Sequence, residues 1–231
     1  ATDFTIEHNT IAGNDVGTLI VAVNNSLNFL YTDNLATGNN IGAEILATGN
    51  NNGPNNGTFN ANFQNSILTR NNAGILLISE NYNESIAQFQ NGIVSDNLLN
   101  GIEIHQTGND LAMALVSGVQ ANNNTLGIWT EQNGNNIGLV NISGTEANNN
   151  TDSGIRNSQY SLIAAIGIVG MPNGVAEGAN NIAGLFGLAL PEEVSRFLTP
   201  CGPVTANGNG ADGLSLNVNA DNFAAIGLIA D

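Results

Sequence analysis

Five side chains of this 231-residue sequence have the types and spacing that chemistry needs: Glu103, His105, Trp129, Glu131 and Arg156. They include its one Trp, one of its two His and one of only three basic residues. Glu103 and His105 are two apart, as are Trp129 and Glu131, and residues two apart on a strand share a face. Trp129 follows Glu103 by 26 residues, and Glu131 follows His105 by the same step. Two carboxylates brought face to face could act as acid and base on a glycosidic bond, with the indole as a flat seat for a sugar ring. The plainer expectation is a solvated outer sheet on which Glu103, Arg156 and Glu131 stack as alternating charges. Either needs residues about 26 apart to lie one above the other.

The repeat supplies that. Asn65-Ser66-Ile67-Leu68 returns as Asn91-Gly92-Ile93-Val94, then as Ser117-Gly118-Val119-Gln120 and Ser143-Gly144-Thr145-Glu146, with a weaker copy at Val169-Gly170. A Gly followed by Ile or Leu runs in phase with it, at Gly74, Gly101, Gly127, Gly154, Gly184 and Gly213. Two motifs locked in phase over several copies mark a solenoid, in which each repeat is one coil packed only on its neighbours. Equivalent strands of successive coils then pair in parallel, roughly 4.8 Å apart. Three short strands per coil, separated by polar turns, account for about 26 residues.

Composition fits this reading. Apolar residues make up 42%, enough to fill a continuous core, while 43 Asn and 28 Gly suit a chain that turns sharply several times per coil. Stacked Asn can also form amide ladders. The net charge of −16 disfavours nucleic acid, anionic membranes and polyanionic substrates. A single Cys, Cys201, excludes an internal disulfide, and no apolar run is long enough for a membrane span. No calcium nonapeptide or D-x-D-x-D run occurs, so no metal site is expected and no cofactor, although one structural calcium between coils is allowed.

The expected architecture is all-β: one right-handed parallel β-helix domain over 1–231, with about eight coils of about 26 residues. The Gly49–Gly57 stretch must be a loop, and Pro191-Glu192-Glu193 opens a short helix near 191–198. The chain starts in mid-pattern and neither end reads as a cap, so it is expected to be a segment of a longer protein. Toward the ends the outward columns turn apolar at Leu19, Val21, Leu46, Leu76 and Ile78, then Phe186 and Leu188. That strip needs a covering segment or a homo-oligomeric partner. Arg70 and Asp96, 26 apart, are expected to pair as a weak surface ion pair. His8 has no evident partner, and nothing activates Cys201.

The coil length, Gly-Ile strands and Asn-rich turns resemble the right-handed parallel β-helices of the pectin-lyase-like superfamily over nearly the whole chain. The likeness implies a fold more than a chemistry, since the scaffold carries enzymes, spikes and adhesins. The galacturonase-type hydrolases of that superfamily carry Asn-Thr-Asp, Asp-Asp, Gly-His-Gly and Arg-Ile-Lys motifs. Asn150-Thr151-Asp152 matches the first, but the others are absent, so Asp152 receives no role. The lyases need a basic residue near calcium, for which Arg70, Arg156 and Arg196 are the candidates. The composition is closer to surface passengers and exoproteins. The leading expectation is thus a non-enzymatic structural or binding module, extracellular or at the cell surface, a β-helix stalk with binding loops such as 49–57 that meets a glycan or protein surface, with Trp129, His105, Glu103, Glu131 and Arg156 as candidate binding residues. The alternative is a carbohydrate-active enzyme, hydrolase-like or lyase-like, with Glu103, Glu131 and Arg156 as catalytic groups. Ice binding would require regular Thr rows, which the outward columns lack.

Overall fold

Short apolar–polar alternations bounded by Asn and Gly become strands, because extended backbone puts every second side chain on one face and the bounding residues tolerate the sharp turn. In the computed structural model, which describes residues 2–24, 26–50, 57–170 and 204–230, every regular element among them is a strand. The first coil comprises β1 (Thr2–Glu7), β2 (Thr10–Ala12) and β3 (Val16–Val23). The second comprises β4 (Leu27–Thr32), β5 (Leu35–Thr37) and β6 (Ile41–Thr48), and the third β7 (Thr58–Gln64), β8 (Ile67–Thr69) and β9 (Ala73–Glu80). From the fourth coil on, the middle strand shrinks to single bridges, Ile67–Ile93, Ile93–Gln120, Gln120–Glu146 and Glu146–Thr205. β10 (Glu84–Gln90), β11 (Asn100–Thr107) and β12 (Leu111–Ser117) follow. Three long strands, β13 (Leu126–Ser143), β14 (Ile155–Gly170) and β15 (Leu214–Ala230), bend around a corner and serve two faces each.

All pairings between these strands are parallel. Ile75, Ile102, Ile128 and Ile155 stand in one column by direct register, which is the stacking on which the sequence reading rests. The fold is therefore a parallel β-solenoid, of about six turns where about eight were expected. Counting Gly184-Leu185 as a coil of its own accounts for part of the surplus. Ile155 pairs directly with Leu214 and Glu146 with Thr205, so no layer lies between them in these sheets. Phe186, Leu188, Cys201, Arg196 and the short helix expected near 191–198 lie outside the described residues. The repeat also alternates between 26 and 27 residues: Ile93 pairs with Gln120, so Gly118 stands over Asn91 rather than over Gly92.

Corners explain the Asn content. His8, Asp33, Asn65 and Asn91 hold φ between 49° and 56°, and Gly118 and Gly144 continue the stack at 63° and 55°. Asn and Asp accept that left-handed backbone at the least cost after Gly. Elsewhere Gly is needed for close approach: a Cβ on Gly127 would lie 2.5 Å from the Gly154 carbonyl oxygen of the next coil.

A buried asparagine ladder runs up one corner. The backbone N–H of Asn14, Asn39, Asn71, Asn97, Asn124 and Asn150 each donates to the Oδ1 of the next, ending on Asn209. The Nδ2 groups of Asn39, Asn71, Asn97 and Asn124 also donate down to the carbonyls of Ile11, Ala36, Leu68 and Val94. Each turn thus satisfies the polar groups that a buried corner strands.

The interior changes along the axis. The first coils are filled by rings: Phe63 lies 5.7 Å from Phe29, 5.2 Å from Tyr31 and 4.9 Å from Phe89. Later coils bury polar side chains at inward positions, Gln106, Gln132, Gln159, Thr130 and Asn157. Gln132 Nε2 donates to Gln106 Oε1 at 2.7 Å, and Gln159 Nε2 to Gln132 Oε1 at 2.6 Å. On the outer side of β10, β12 and β13 a second apolar cluster, Ile86, Met113 and Leu139, is also buried.

Candidate functional site

The second face, β9, β11, the first half of β13 and the first half of β14, presents the chemistry-bearing residues outward. Inward positions there are Ile102, Ile104 and Gln106 on β11, and Ile128, Thr130 and Gln132 on β13, all buried. Strict alternation then turns Glu103 and His105 outward on one strand and Trp129 and Glu131 on the next. Register places Trp129 over Glu103 and Glu131 over His105, as the spacing implied. Beneath them lie Leu76 and Ile78; above them come Arg156 and Ser158.

The imidazole of His105 joins the two carboxylates. Its Nε2 lies 2.7 Å from Glu103 Oε1, and its Nδ1 lies 3.3 Å from Glu131 Oε2. The outer oxygens are tied as well: Asn100 Nδ2 donates to Glu103 Oε2 at 2.6 Å, and Asn133 Nδ2 donates to Glu131 Oε1. The row Asn100, Glu103, His105, Glu131, Asn133 therefore crosses two coils. Trp129 stands edge-on to the imidazole, with ring centroids 5.0 Å apart and planes at 74°. A protonated imidazole has the charge to favour this neighbour.

The hydrogen bond to Glu103 chiefly raises the His105 pKa above its ordinary 6.5; partial burial opposes it, and the charges of both glutamates reinforce it. Burial alone would raise the Glu103 pKa, but the hydrogen bonds from His105 and Asn100 outweigh it and hold the carboxyl below its ordinary 4.5. His105 thus holds its proton to higher pH than a free imidazole, beside a Glu103 carboxyl that gives up its own more readily.

Arg156 does not join it. The expected stack of Glu103, Arg156 and Glu131 fails because Trp129 separates Arg156 from Glu103 in the column, and the guanidinium turns along its own strand. Its terminal nitrogen Nη2 lies 2.9 Å from Asp152 Oδ2 and 3.3 Å from Ser153 Oγ. The short Asp152 link, four residues away, offers a nearer anion than either glutamate. Among the described residues no ion pair joins Arg70 to Asp96 either. Asp96 Oδ1 instead accepts from Asn123 Nδ2 in the next coil, at 2.9 Å. Of the expected apolar strip, Leu19 and Val21 are the open part, 53% and 61% exposed, while Leu46, Leu76 and Ile78 are half-buried.

Asn100, Asn133 and Asp152 were not foreseen. One more step of the alternation from Glu131 reaches Asn133, so the signal was present. Asn100 sits three residues before Glu103, off the two-residue period, and only the fold shows its reach. Among the described residues no group of three or more His, Cys, Asp or Glu is placed to hold a metal ion, and no helix is long and apolar enough to cross a membrane. No family model, curated protein or solved structure matches the chain.

Proposed function

We propose that this chain is a binding module of an extracellular or cell-surface protein, a right-handed β-helix of the pectin-lyase-like type. It would engage a glycan on the face formed by Trp129, Glu103, His105 and Glu131 and perform no chemistry on it. The observation that carries this is the hydrogen-bonded row beside the indole. Such a row supplies fixed acceptors and donors for sugar hydroxyls next to an aromatic seat.

The same row argues against hydrolysis. A general acid must keep its proton near neutral pH, which requires a carboxyl with a raised pKa. Glu103 is held the other way by His105 and Asn100. A lyase-type base fares no better, because the guanidinium of Arg156 is engaged by Asp152. The acidic composition and single Cys agree with an exported module that relies on stacking.

A glycan array tests the reading, with Trp129→Ala as the control. Binding by the native chain that is lost in the variant supports it. Reducing-sugar release that disappears in Glu131→Gln would instead establish the hydrolase.

A further inference from the structure

Resting on that reading, we infer that the ligand is an uncharged or basic oligosaccharide chain, lying across two coils, with Tyr160 as its second aromatic seat. Tyr160 is outward on β14, two residues beyond Ser158 and four beyond Arg156, and it is 49% exposed. It pairs in register with Asn133, the last member of the polar row. Trp129 and Tyr160 are therefore separated by four residues along the strand direction and by one coil across it. With about 3.3 Å per residue and about 4.8 Å per coil, that is about 14 Å. This exceeds one pyranose ring and suits a short chain.

Between the two rings lie Glu131, Asn133 and Ser158, all polar and outward. The Tyr160 hydroxyl reaches Asp221 Oδ1 on β15 at 3.4 Å, a long bond, and the side chain stays about half exposed. Charge sets the ligand class. Glu103, Glu131, Asp152 and Asp221 face this surface, against His105 and the Asp152-bound Arg156. A uronate or sulfated chain would meet four carboxylates against two cationic side chains and be repelled by the excess, whereas a neutral or amino sugar would not. The aromatic faces would also attract a cationic amine.

The experiment is calorimetric titration with neutral oligosaccharides of increasing length, from disaccharide to hexasaccharide, alongside polyuronates of equal length. The native chain should gain affinity in a step at the length that reaches the second ring, and should bind the polyuronates weakly or not at all. Tyr160→Ala should remove that step, a loss of roughly five- to tenfold for the longer chains. It should leave the shorter ones unchanged, and Tyr160→Phe should restore the step. If Tyr160→Ala binds every length like the native chain while Trp129→Ala does not bind, the two-seat inference fails and the glycan-binding reading survives. Polyuronates that bind as tightly as the neutral chains overturn the charge class. A native chain that binds no glycan overturns both.

Discussion

The early and the later coils enclose their axis with different materials. In the early coils Phe29, Tyr31, Phe59, Phe63, Tyr82 and Phe89 fill the space with rings. In the later ones Gln106, Gln132 and Gln159 stand in one inward column and bond to each other across coils, and Thr130 bonds to Asn157. An aromatic interior depends on volume and tolerates any shape that fills it. A glutamine ladder depends on matching each donor to an acceptor, and one missing member strands its neighbours. The candidate site lies outside the polar half. Ladders that pin Gln106 and Gln132 also pin the strands from which His105 and Glu131 project, whereas the first coil leaves Leu19 and Val21 to solvent.

The largest test strikes what both halves share. Ile128→Asp places a carboxylate between Ile102 and Ile155, where the native side chain is fully buried, and should abolish folding. A soluble variant with a cooperative melt would show that the later coils tolerate charge inside. Next comes Phe63→Ala, which removes three ring contacts and should cost about 3–5 kcal/mol in chemical denaturation. Gln132→Ala should cost less, about 1–3 kcal/mol, through the stranded amide of Gln159 and the carbonyls of Ala112 and Leu139. Equal losses in these two variants would mean that the halves do not differ in kind.

Within the asparagine ladder, Asn97→Ala should cost about 1–3 kcal/mol and the terminal Asn14→Ala under about 1, because the Asn97 side chain bonds to the coils on both sides and that of Asn14 to one only. Equal melting shifts for both would count against a cooperative ladder. The smallest effect concerns pH. The raised His105 pKa stabilises the fold below about 6.5, and that gain fades as pH rises through the folded value. The lowered Glu103 pKa stabilises it above about 4.5 and fades as pH falls through the folded value. Thermal melts of His105→Gln should therefore depart most from the native chain between about pH 4.5 and 6.5, by under about 1 kcal/mol, and converge in alkali. A gap that widens in alkali would contradict the assigned row.

Much of this was legible because a solenoid converts sequence distance into spatial neighbourhood. The step from Ile102 to Ile128, and the outward pairing of Glu103 with Trp129 and His105 with Glu131, needed only the period and the two-residue alternation. What stayed hidden broke those rules. Gln106 and Gln132 are polar residues at inward positions, and nothing local distinguishes them from surface glutamines. Ile86, Met113 and Leu139 are apolar at outward ones. Arg156 was assigned to its column, but a long side chain also samples its own strand, and Asp152 was nearer. The coil count ran high in part because Gly184-Leu185 imitates the repeat, while β14 pairs directly with β15.

Every rung of the asparagine ladder points the same way: its amide carbonyl is turned toward the first coil and receives its hydrogen from there. Backbone bonds between parallel strands run in both directions and largely cancel, but these six links add. Each polarises the next, while the Nδ2 groups of Asn39, Asn71, Asn97 and Asn124 donate back toward the first coil and offset part of that alignment. What survives is an order of assembly: a new coil joins the column only by presenting a side-chain acceptor to the rung before it.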